Sequence, residues 1–165
     1  AVIVGTVSPE GRPSTRTVLL KGLHDGKFIF YTNYESRKGR QLAQNPYISL
    51  SFVWHELERQ VHIEGTAAKV SPEESFRKRP YKSRIGARIS PQSQPIASRM
   101  QLIRAFVKEA ARWLGKEVER PDNWGGYAVT PTRMEFWQGR PNRLHDRFLY
   151  TLKTDGKWEI NRLSP

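Results

Sequence analysis

The most constraining feature of this sequence is the shortness of the connections between its first β-like segments. An apolar run over residues 1–7 is followed at residues 8–11 by Ser-Pro-Glu-Gly, a composition typical of turns. A second segment over residues 15–21 is separated from an aromatic third segment over 28–31 by a loop that contains Asp25 and Gly26, a pair that favours hairpin turns. Because parallel neighbours need a crossover of a dozen or more residues, these strands are expected to pair antiparallel.

Helix starts are marked by serines. Ser36 is a good N-cap for a short helix that ends near residues 45–46, where Pro follows Asn. Ser71, followed by Pro and Glu, predicts a second helix start, and Ser98 opens a longer helix. In that longer helix a stripe at helical spacing is predicted to face the core: Ile103, Phe106, Val107, Ala110 and Leu114. The remaining strands are expected over residues 47–54, 59–70, 127–130, 133–137, 148–152 and 158–163.

Together these elements predict a mainly β protein, an antiparallel small barrel or strongly curved sheet with a few helices. The length of 165 residues fits a single domain over residues 1–165, to which the region 133–165 belongs. The sequence starts at Ala1 rather than at Met, so we expect that a natural N-terminal segment is absent from it.

Composition excludes several kinds of chemistry. The chain has no Cys, which removes disulfide scaffolds, thiolate zinc sites, iron–sulfur clusters and cysteine nucleophiles, and suits a cytoplasmic location. Its four His residues are isolated from one another, so no metal site is expected. No phosphate-binding P-loop, dinucleotide fingerprint or nucleophile elbow is present. No apolar run approaches the ~18–20 residues of a membrane span, and no membrane partner is expected.

The positive charge of the chain predicts an anionic partner. The net charge is +12, and residues 77–88 contain six basic and no acidic side chains. Nucleic acid fits the charge, but no recognition motif for it is visible. The helix start Ser36-Arg37-Lys38 is a place where a phosphate can bind, although an ordinary capped surface helix explains it equally well.

The segment over residues 135–147, Glu-Phe-Trp-Gln-Gly-Arg-Pro-Asn-Arg-Leu-His-Asp-Arg, resembles the C-terminal signature of the pyridoxamine 5′-phosphate oxidase family. The similarity runs the length of the chain. Further blocks that resemble the family, in its order, lie at residues 16–21, 30–33, 36–38, 57–61, 79–80, 85–87, 92–93, 124–126 and 162–165.

This resemblance implies an FMN-binding split β-barrel that is antiparallel and homodimeric, with FMN where the two subunits meet. The FMN contacts it implies are Arg16, Thr17, Val18, Leu19, Leu20, Lys21, Tyr31, Thr32, Arg37, Lys38, Gln60, Gln92, Ser93, Trp137 and Arg147. The substrate contacts it implies are Lys21, Ser75, Arg79, Ser83, Arg143, Leu144 and His145. Arg143 and His145 are the implied catalytic residues, and they would share one face if the chain is extended there.

Two positions need explanation. The family usually has Tyr where this chain has Ser75, so a hydroxyl is kept but its reach is shorter. Lys78 or Lys82 is a candidate to compensate. Arg16 and Lys21 are five residues apart and would face opposite sides of a regular strand. Both reach one site only if the strand bends, ends, or contributes its backbone.

The reaction implied is the oxidation of pyridoxamine or pyridoxine 5′-phosphate to pyridoxal 5′-phosphate, with dioxygen as acceptor and hydrogen peroxide as product. One alternative is another flavoenzyme of the same barrel, such as a phenazine-pathway oxidase or a flavin reductase. A second alternative is a non-catalytic module that binds FMN, pyridoxal phosphate or nucleic acid. The expected partners are a phosphorylated pyridine, dioxygen and a second copy of the chain, rather than nucleic acid.

Overall fold

The structure is a computed structural model that describes residues 1–165. Nine strands and four α-helices follow one another along the chain. The strands are β1 (Val2–Val7), β2 (Pro13–Val18), β3 (Leu20–His24), β4 (Lys27–Asn33), β5 (Tyr47–Trp54), β6 (Arg59–Val70), β7 (Trp124–Gln138), β8 (Asp146–Leu152) and β9 (Trp158–Arg162). The helices are α1 (Arg37–Gln44), α2 (Glu73–Arg77), α3 (Tyr81–Ile89) and α4 (Arg99–Arg112). None of these helices combines the length and the apolar character needed to cross a membrane.

The sheet curls on itself because its two outermost strands are neighbours in sequence. The hydrogen-bonded order is β2-β1-β5-β6-β7-β4-β3, and every pairing is antiparallel. Only Leu19 separates the end of β2 from the start of β3. Two edges joined by one residue must lie close together, so this path forms a barrel that is left open at Leu19.

The sheet also branches along β7. Residues 124–129 of β7 pair with β4, whereas residues 133–138 pair with β8, and β6 follows both parts on the other side. The branch coincides with a bulge in the β6–β7 register at Glu64 and Gly65. Gly65 is required there because a Cβ atom would collide with the carbonyl oxygen of Thr130. The mainly β, antiparallel, split-barrel expectation is therefore confirmed.

Two apolar cores stabilise the chain. The larger core fills the barrel with side chains from β1, β4, β5, β6 and β7, and Leu42 of α1 closes it. The smaller core lies under the helices and joins α2, α3 and the start of β7 through Phe76, Ile85 and Trp124. Because Trp124 belongs to this second core, it fixes the helical layer to the barrel.

The serine caps are confirmed at two of the three predicted positions. The Oγ of Ser36 accepts from the Gly39 N–H, and the Oγ of Ser98 accepts from the Gln101 N–H. Ser71 is not a cap, since α2 starts one residue later behind Pro72 and has no side-chain cap.

Three other expectations differ from the structure. The segment 15–21 is not one strand, because β2 ends at Val18 and β3 starts at Leu20. The two strands expected over 127–130 and 133–137 are one continuous β7. The stripe predicted on α4 is only partly buried: Phe106 and Ala110 pack against the smaller core, whereas Ile103, Val107 and Leu114 are exposed.

Candidate functional site

A cleft of about 780 Å³ opens between the barrel and helices α2 and α3. Its walls come from the β2–β3 junction, from β4, from the start of α1 and from Trp124. Four cationic side chains line it, and no carboxylate does: Lys21, Lys38, Lys78 and Arg79. Lys78 is paired with Glu74, whereas the other three have no carboxylate partner, and a cavity lined by unpaired cations favours anionic ligands.

Lys38 lines this cleft from the N-terminus of α1. Its side chain is 6% exposed, and its Nζ donates to Thr32 Oγ1 at 2.8 Å, Ser36 Oγ at 3.2 Å and Gln92 Oε1 at 3.3 Å. All three acceptors are neutral. Burial, together with the charge of Arg16, lowers the pKa of Lys38 to about 8. A buried ammonium without a carboxylate partner at a helix N-terminus fits a phosphate group.

Local sequence explains why Lys38 is held there. The Ser36 cap fixes the first turn of α1, and Gly39 lets that turn pack directly against the backbone of Tyr34, where a Cβ atom would collide. The helix therefore starts deep in the wall of the cleft, and its second residue points into it.

Arg79 lines the cleft from the connection between α2 and α3. Its guanidinium packs over the Trp124 ring at 4.8 Å, and one Nη donates to the Ser83 carbonyl oxygen at 3.4 Å. The Nε is buried and has no hydrogen-bond partner. Burial lowers the pKa of Arg79 from its usual value. Such a group has unused donors for a ligand.

The hydroxyl of Ser75 shares a short hydrogen bond of 2.5 Å with the hydroxyl of Tyr31. The Tyr31 ring is stacked on the Trp124 ring, with centroids 5.1 Å apart. The Ser75 hydroxyl is therefore hydrogen-bonded to one of two stacked aromatic residues that line the cleft. Lys78, one of the two candidates to compensate for the shorter residue, does line the cleft. Lys82 does not.

The β2–β3 junction places Lys21 in the wall of the cleft, but it does not bring Arg16 there. The Arg16 guanidinium donates to Thr6 Oγ1 at 2.6 Å, to Ser14 Oγ at 2.7 Å and to the Val4 carbonyl oxygen at 3.2 Å, away from the cleft. Lys21 follows the break at Leu19 and lines the cleft. The strand thus ends between the two residues, but this break does not bring both side chains to one site.

A second, smaller hollow of about 340 Å³ lies at the far end of β7. Gln60 and Trp137 are direct partners across β6 and β7, and His145 packs on the Trp137 ring at 4.7 Å. The Nδ1 of His145 accepts from the Arg140 backbone N–H at 3.1 Å. This fixes Nδ1 as an acceptor, so a neutral His145 carries its proton on Nε2.

Arg143 lies on a strained turn beside that hollow. Asn142 and Arg143 have φ angles of 57° and 62°, a left-handed conformation that costs about 1–3 kcal/mol for a non-glycine residue. The stretch is therefore not extended, so the condition under which Arg143 and His145 would share one face is not met. The turn leaves the Arg143 side chain exposed and without a hydrogen-bond partner or ion pair.

Arg147 is held by a carboxylate. Its Nε donates to Glu135 Oε1 at 2.7 Å, and an Nη donates to the Ser164 carbonyl oxygen at 2.9 Å. This hydrogen bond lowers the pKa of Glu135 and raises the pKa of Arg147. The pair joins β8 to β7 and to the C-terminus of the chain.

The residues implied by the resemblance thus fall into two groups. Those that line the cleft are Thr17, Val18, Leu19, Lys21, Tyr31, Thr32, Lys38, Ser75, Arg79, Ser83 and Gln92. Those that lie in or around the smaller hollow are Gln60, Trp137, Arg143, Leu144, His145 and Arg147. Arg16, Leu20, Arg37 and Ser93 line neither space.

Within one chain, the residues of the cleft and those of the smaller hollow do not form a single site. Trp124 lines the cleft and Trp137 lines the hollow; they lie near opposite ends of β7, roughly 40 Å apart along an extended strand at about 3.3 Å per residue. The two spaces share no lining residue.

Eight further residues line the cleft that the sequence did not predict as site residues: His24, Ile29, Asn33, Pro80, Gly86, Ala87, Ser90 and Trp124. The signal for Trp124 was available in the two glycines that follow it, which indicate that bulky groups pack closely against the strand there.

Solved structures of similar fold show which structural class of protein this chain belongs to. The chain is similar to PhzG from Burkholderia lata in complex with tetrahydrophenazine-1-carboxylic acid, with a TM-score of 0.94 and 29% identity, covering 100% of this chain and 82% of that one. It shares its fold with a pyridoxamine 5′-phosphate oxidase-related, FMN binding protein from Nostoc punctiforme, with a TM-score of 0.83 and 18% identity, covering 99% and 87% of the two chains. These likenesses define a split-barrel protein.

Comparison of the sequence then gives the family. The family model for pyridoxamine 5′-phosphate oxidase matches residues 1–137, and the model for the pyridoxine 5′-phosphate oxidase C-terminal dimerisation region matches residues 124–165. The chain belongs to the pyridoxamine 5′-phosphate oxidase family, and it is an oxidoreductase.

Two curated relatives carry the same description. The proteins named pyridoxine/pyridoxamine 5′-phosphate oxidase from Bacteroides thetaiotaomicron and Porphyromonas gingivalis are 98% and 60% identical to this chain. The matches cover 100% of this chain in both cases, and 79% and 78% of the respective relatives.

Proposed function

We propose that this chain uses FMN to oxidise pyridoxamine 5′-phosphate or pyridoxine 5′-phosphate to pyridoxal 5′-phosphate, with dioxygen as the final acceptor. The observation that carries the proposal is the cleft without a lining carboxylate, which has Lys38 in the wall formed by α1 and Arg79 in the wall formed by α2 and α3. Two separate anion sites in one cleft suit a flavin phosphate and a substrate phosphate. The names of the close relatives support the same reaction.

The residues of the cleft fit FMN. Lys38, Thr32 and Gln92 already form one hydrogen-bonded cluster, with the Thr32 hydroxyl donating to Gln92 Oε1 at 3.2 Å. A phosphate that enters this cluster gains a charge-assisted bond to Lys38 and relieves the cost of burying an unpaired ammonium. The backbone from Thr17 to Leu19 borders the same space and would bind the rest of the cofactor.

Arg79, Ser83, Ser75 and Lys21 would hold the substrate phosphate. Arg79 offers a planar guanidinium with free donors, and Lys21 offers a point charge on the edge strand β3. With the phosphate fixed by these residues, the pyridine ring is directed towards the flavin, and its 4′ carbon can be held in the orientation that reaction requires.

A second copy of the chain would complete the site. Arg143 and His145 lie beside the smaller hollow, which one chain does not bring to its own cleft. The description of residues 124–165 as a dimerisation region supports a homodimer in which the hollow of one protomer faces the cleft of its partner. Gln60, Trp137 and Arg147 would then reach the flavin from the second subunit.

The chemistry of each residue follows from this arrangement. FMN, when bound, supplies a two-electron acceptor that dioxygen reoxidises to give hydrogen peroxide. Loss of two electrons and two protons from the amine substrate gives an imine, which water hydrolyses to the aldehyde and ammonia; the alcohol substrate gives the aldehyde directly. The exposed Arg143 guanidinium would hold the substrate ring and stabilise negative charge on it. His145 would donate a hydrogen bond from Nε2 to a polar substituent of that ring.

The likeness to PhzG favours one alternative, the oxidation of a phenazine precursor. That structure covers the whole of this chain at 29% identity and holds a carboxylated tricyclic ligand. The short side chain of Ser75 would leave space for a larger substrate. Arg79, with its free donors in the wall of the cleft, would then bind a carboxylate in place of a phosphate.

One anaerobic titration tests the proposed function. The FMN-loaded protein is mixed with pyridoxamine 5′-phosphate without oxygen, the visible flavin absorption is followed, and air is then admitted. We expect bleaching that oxygen reverses, with formation of pyridoxal 5′-phosphate and hydrogen peroxide. Bound flavin that stays oxidised with both B6 phosphates but bleaches with a dihydrophenazine carboxylate would favour the alternative. A protein that does not retain FMN would overturn the cofactor assignment.

A further inference from the structure

Arg79 is half-buried and lacks the ion pairs and short hydrogen bonds that usually orient an arginine in such a position. No carboxylate pairs with it, its Nε has no partner, and its one hydrogen bond, to the Ser83 carbonyl oxygen, is long at 3.4 Å. The close contact that remains is with the Trp124 ring, whose centroid is 4.8 Å from the guanidinium carbon. A guanidinium over an indole face is held by the ring quadrupole, and its donors stay free for a ligand.

The Trp124 ring is itself fixed on several sides. Tyr31 stacks on it with ring centroids 5.1 Å apart and an interplanar angle of 14°, and the edge of Phe76 packs on it at 5.1 Å. The Trp124 carbonyl oxygen accepts from Arg120 at 3.0 Å, so the backbone is held as well. With 4% exposure, the indole has no freedom to turn away from the cleft.

The two glycines after Trp124 make this packing possible. A Cβ atom on Gly126 would lie 2.7 Å from the Tyr31 ring, and one on Gly125 would collide with the Tyr34 hydroxyl. The Trp-Gly-Gly sequence therefore supplies the flat indole ring and leaves the space that the stacked Tyr31 ring occupies.

We propose that Trp124 is the positioning residue that aims the Arg79 guanidinium at the phosphate group of the ligand. Tyr31 and Gly126 support it by fixing the plane of the indole. This inference rests on the proposed function for the identity of the ligand, a phosphorylated pyridine. It adds a residue that touches neither the phosphate nor the reacting atoms.

The test compares one phosphorylated ligand with its unphosphorylated form. The probes are 4-deoxypyridoxine 5′-phosphate and 4-deoxypyridoxine, which lack the oxidisable group, and their affinities for the FMN-loaded protein are measured by calorimetry. The ratio of the two affinities isolates the contribution of the phosphate. We expect W124L to reduce this ratio by about tenfold, the equivalent of a desolvated cation–π contact. W124F keeps an aromatic face and should restore most of the ratio.

Trp113 provides a matched control. It is 9% exposed, carries the Arg88 guanidinium over its ring at 4.7 Å, and belongs to the same small core, but it does not line the cleft. W113L should lower the melting temperature as W124L does and leave the affinity ratio unchanged. If W113L and W124L reduced the affinity ratio equally, general loosening of the core would explain the reduction, and the proposal would be overturned.

A double-mutant cycle with R79Q separates positioning from independent binding. If Trp124 acts through Arg79, W124L has no further effect on the ratio once Arg79 is replaced. Additive losses, an unchanged ratio in W124L, or a wild-type protein that does not prefer the phosphorylated probe would each overturn the inference. Because these probes are not turned over, a correct cycle in a protein that fails to oxidise pyridoxamine 5′-phosphate would leave the inference standing and overturn the proposed reaction alone.

Discussion

The cleft and the C-terminal region differ in whether their basic side chains are paired with carboxylates. In the cleft, Lys38 is buried and Arg79 is half-buried, and neither has a carboxylate partner; the exposed Lys78 is the cleft cation that is paired, with Glu74. In residues 133–165, four of the five arginines are paired: Arg133 with Glu64, Arg140 and Arg162 with Asp146, and Arg147 with Glu135. Arg143 alone has no ion pair there.

Under the proposed function, this difference separates cations that would bind a ligand from cations that stabilise the fold. A buried cation without a counter-charge lowers the stability of the empty protein and gains a partner when an anion binds. A paired arginine on a sheet contributes modestly to stability, and its charge is already partly satisfied. Arg143 shares the lack of an ion pair with Lys38 and Arg79, but it is exposed, so its proposed role rests on the family resemblance and on its place beside the smaller hollow.

The contrast between unpaired and paired arginines predicts that Arg143 matters more for turnover than its ion-paired neighbours do. R143L should reduce kcat by about 100-fold or more, because it removes a positioned charge from the reacting ring, and it should leave FMN retention nearly unchanged. Steady-state kinetics with pyridoxamine 5′-phosphate and the flavin content of the purified protein measure the two effects. R133L, which removes a paired arginine, is the control, and normal turnover in R143L would sink the assignment.

Lys38 should show the two opposite consequences of being buried without a counter-charge. K38M should weaken FMN binding by about 10- to 100-fold, the value of one charge-assisted hydrogen bond, with no such loss for riboflavin, which lacks the phosphate. The same variant should raise the melting temperature of the FMN-free protein, since an unpaired ammonium is removed from the interior. Fluorescence titration and thermal melting measure the two effects. R40M, on the exposed side of α1, should change neither, and weaker riboflavin binding in K38M would argue for general damage to the cleft.

The pH dependence of FMN affinity is a second test of the role of the unpaired Lys38 ammonium. The pKa of Lys38 in the empty protein is about 8, and a bound phosphate will raise it. Affinity should therefore be nearly level just below pH 8 and fall above it, by at most about tenfold per pH unit for one proton. Because the folded-state pKa lies below the unfolded value, this group makes the empty protein more stable as the pH rises from about 8 towards 10.5. Titrations between pH 7 and 10 test both trends, and K38M should abolish them.

Much of the fold could be predicted because its signals are local. The bounds of β5 and β6 and the Ser36 and Ser98 caps follow from residue patterns within one element. The break at Leu19 could not be predicted, since it depends on the closing of the barrel between two edges that are remote in hydrogen-bonding order. The exposed side of α4 could not be predicted either, because helical spacing reports an apolar face without reporting what covers it.

The two-part site has a similar explanation. The residue types were identified from the family resemblance, but the separation of Arg79 from His145 depends on the length of β7 as one continuous strand. The sequence suggested two shorter strands there, over residues 127–130 and 133–137. Pro131 lies between them, and proline usually interrupts a ladder. In the structure the bulge opposite Gly65 accommodates Pro131, and the strand continues. The sequence alone therefore did not show that one chain keeps the two halves of the site apart.

The smallest expected effect lies in the paired region. E135Q removes the carboxylate that holds Arg147 between β7 and β8, and because both side chains are partly exposed the loss of stability should be about 1 kcal/mol or less. The hydrogen bond from Arg147 lowers the pKa of Glu135, so this contribution is present above the unfolded-state pKa near 4.5 and is lost as the pH falls through the folded-state value. Urea unfolding at pH 7 and at pH 3 measures it, and the difference between wild type and E135Q should shrink at the lower pH. E64Q, which unpairs the more exposed Arg133, should cost less than E135Q, and a reversed order would contradict the view that Arg147 is the better anchored member of this region.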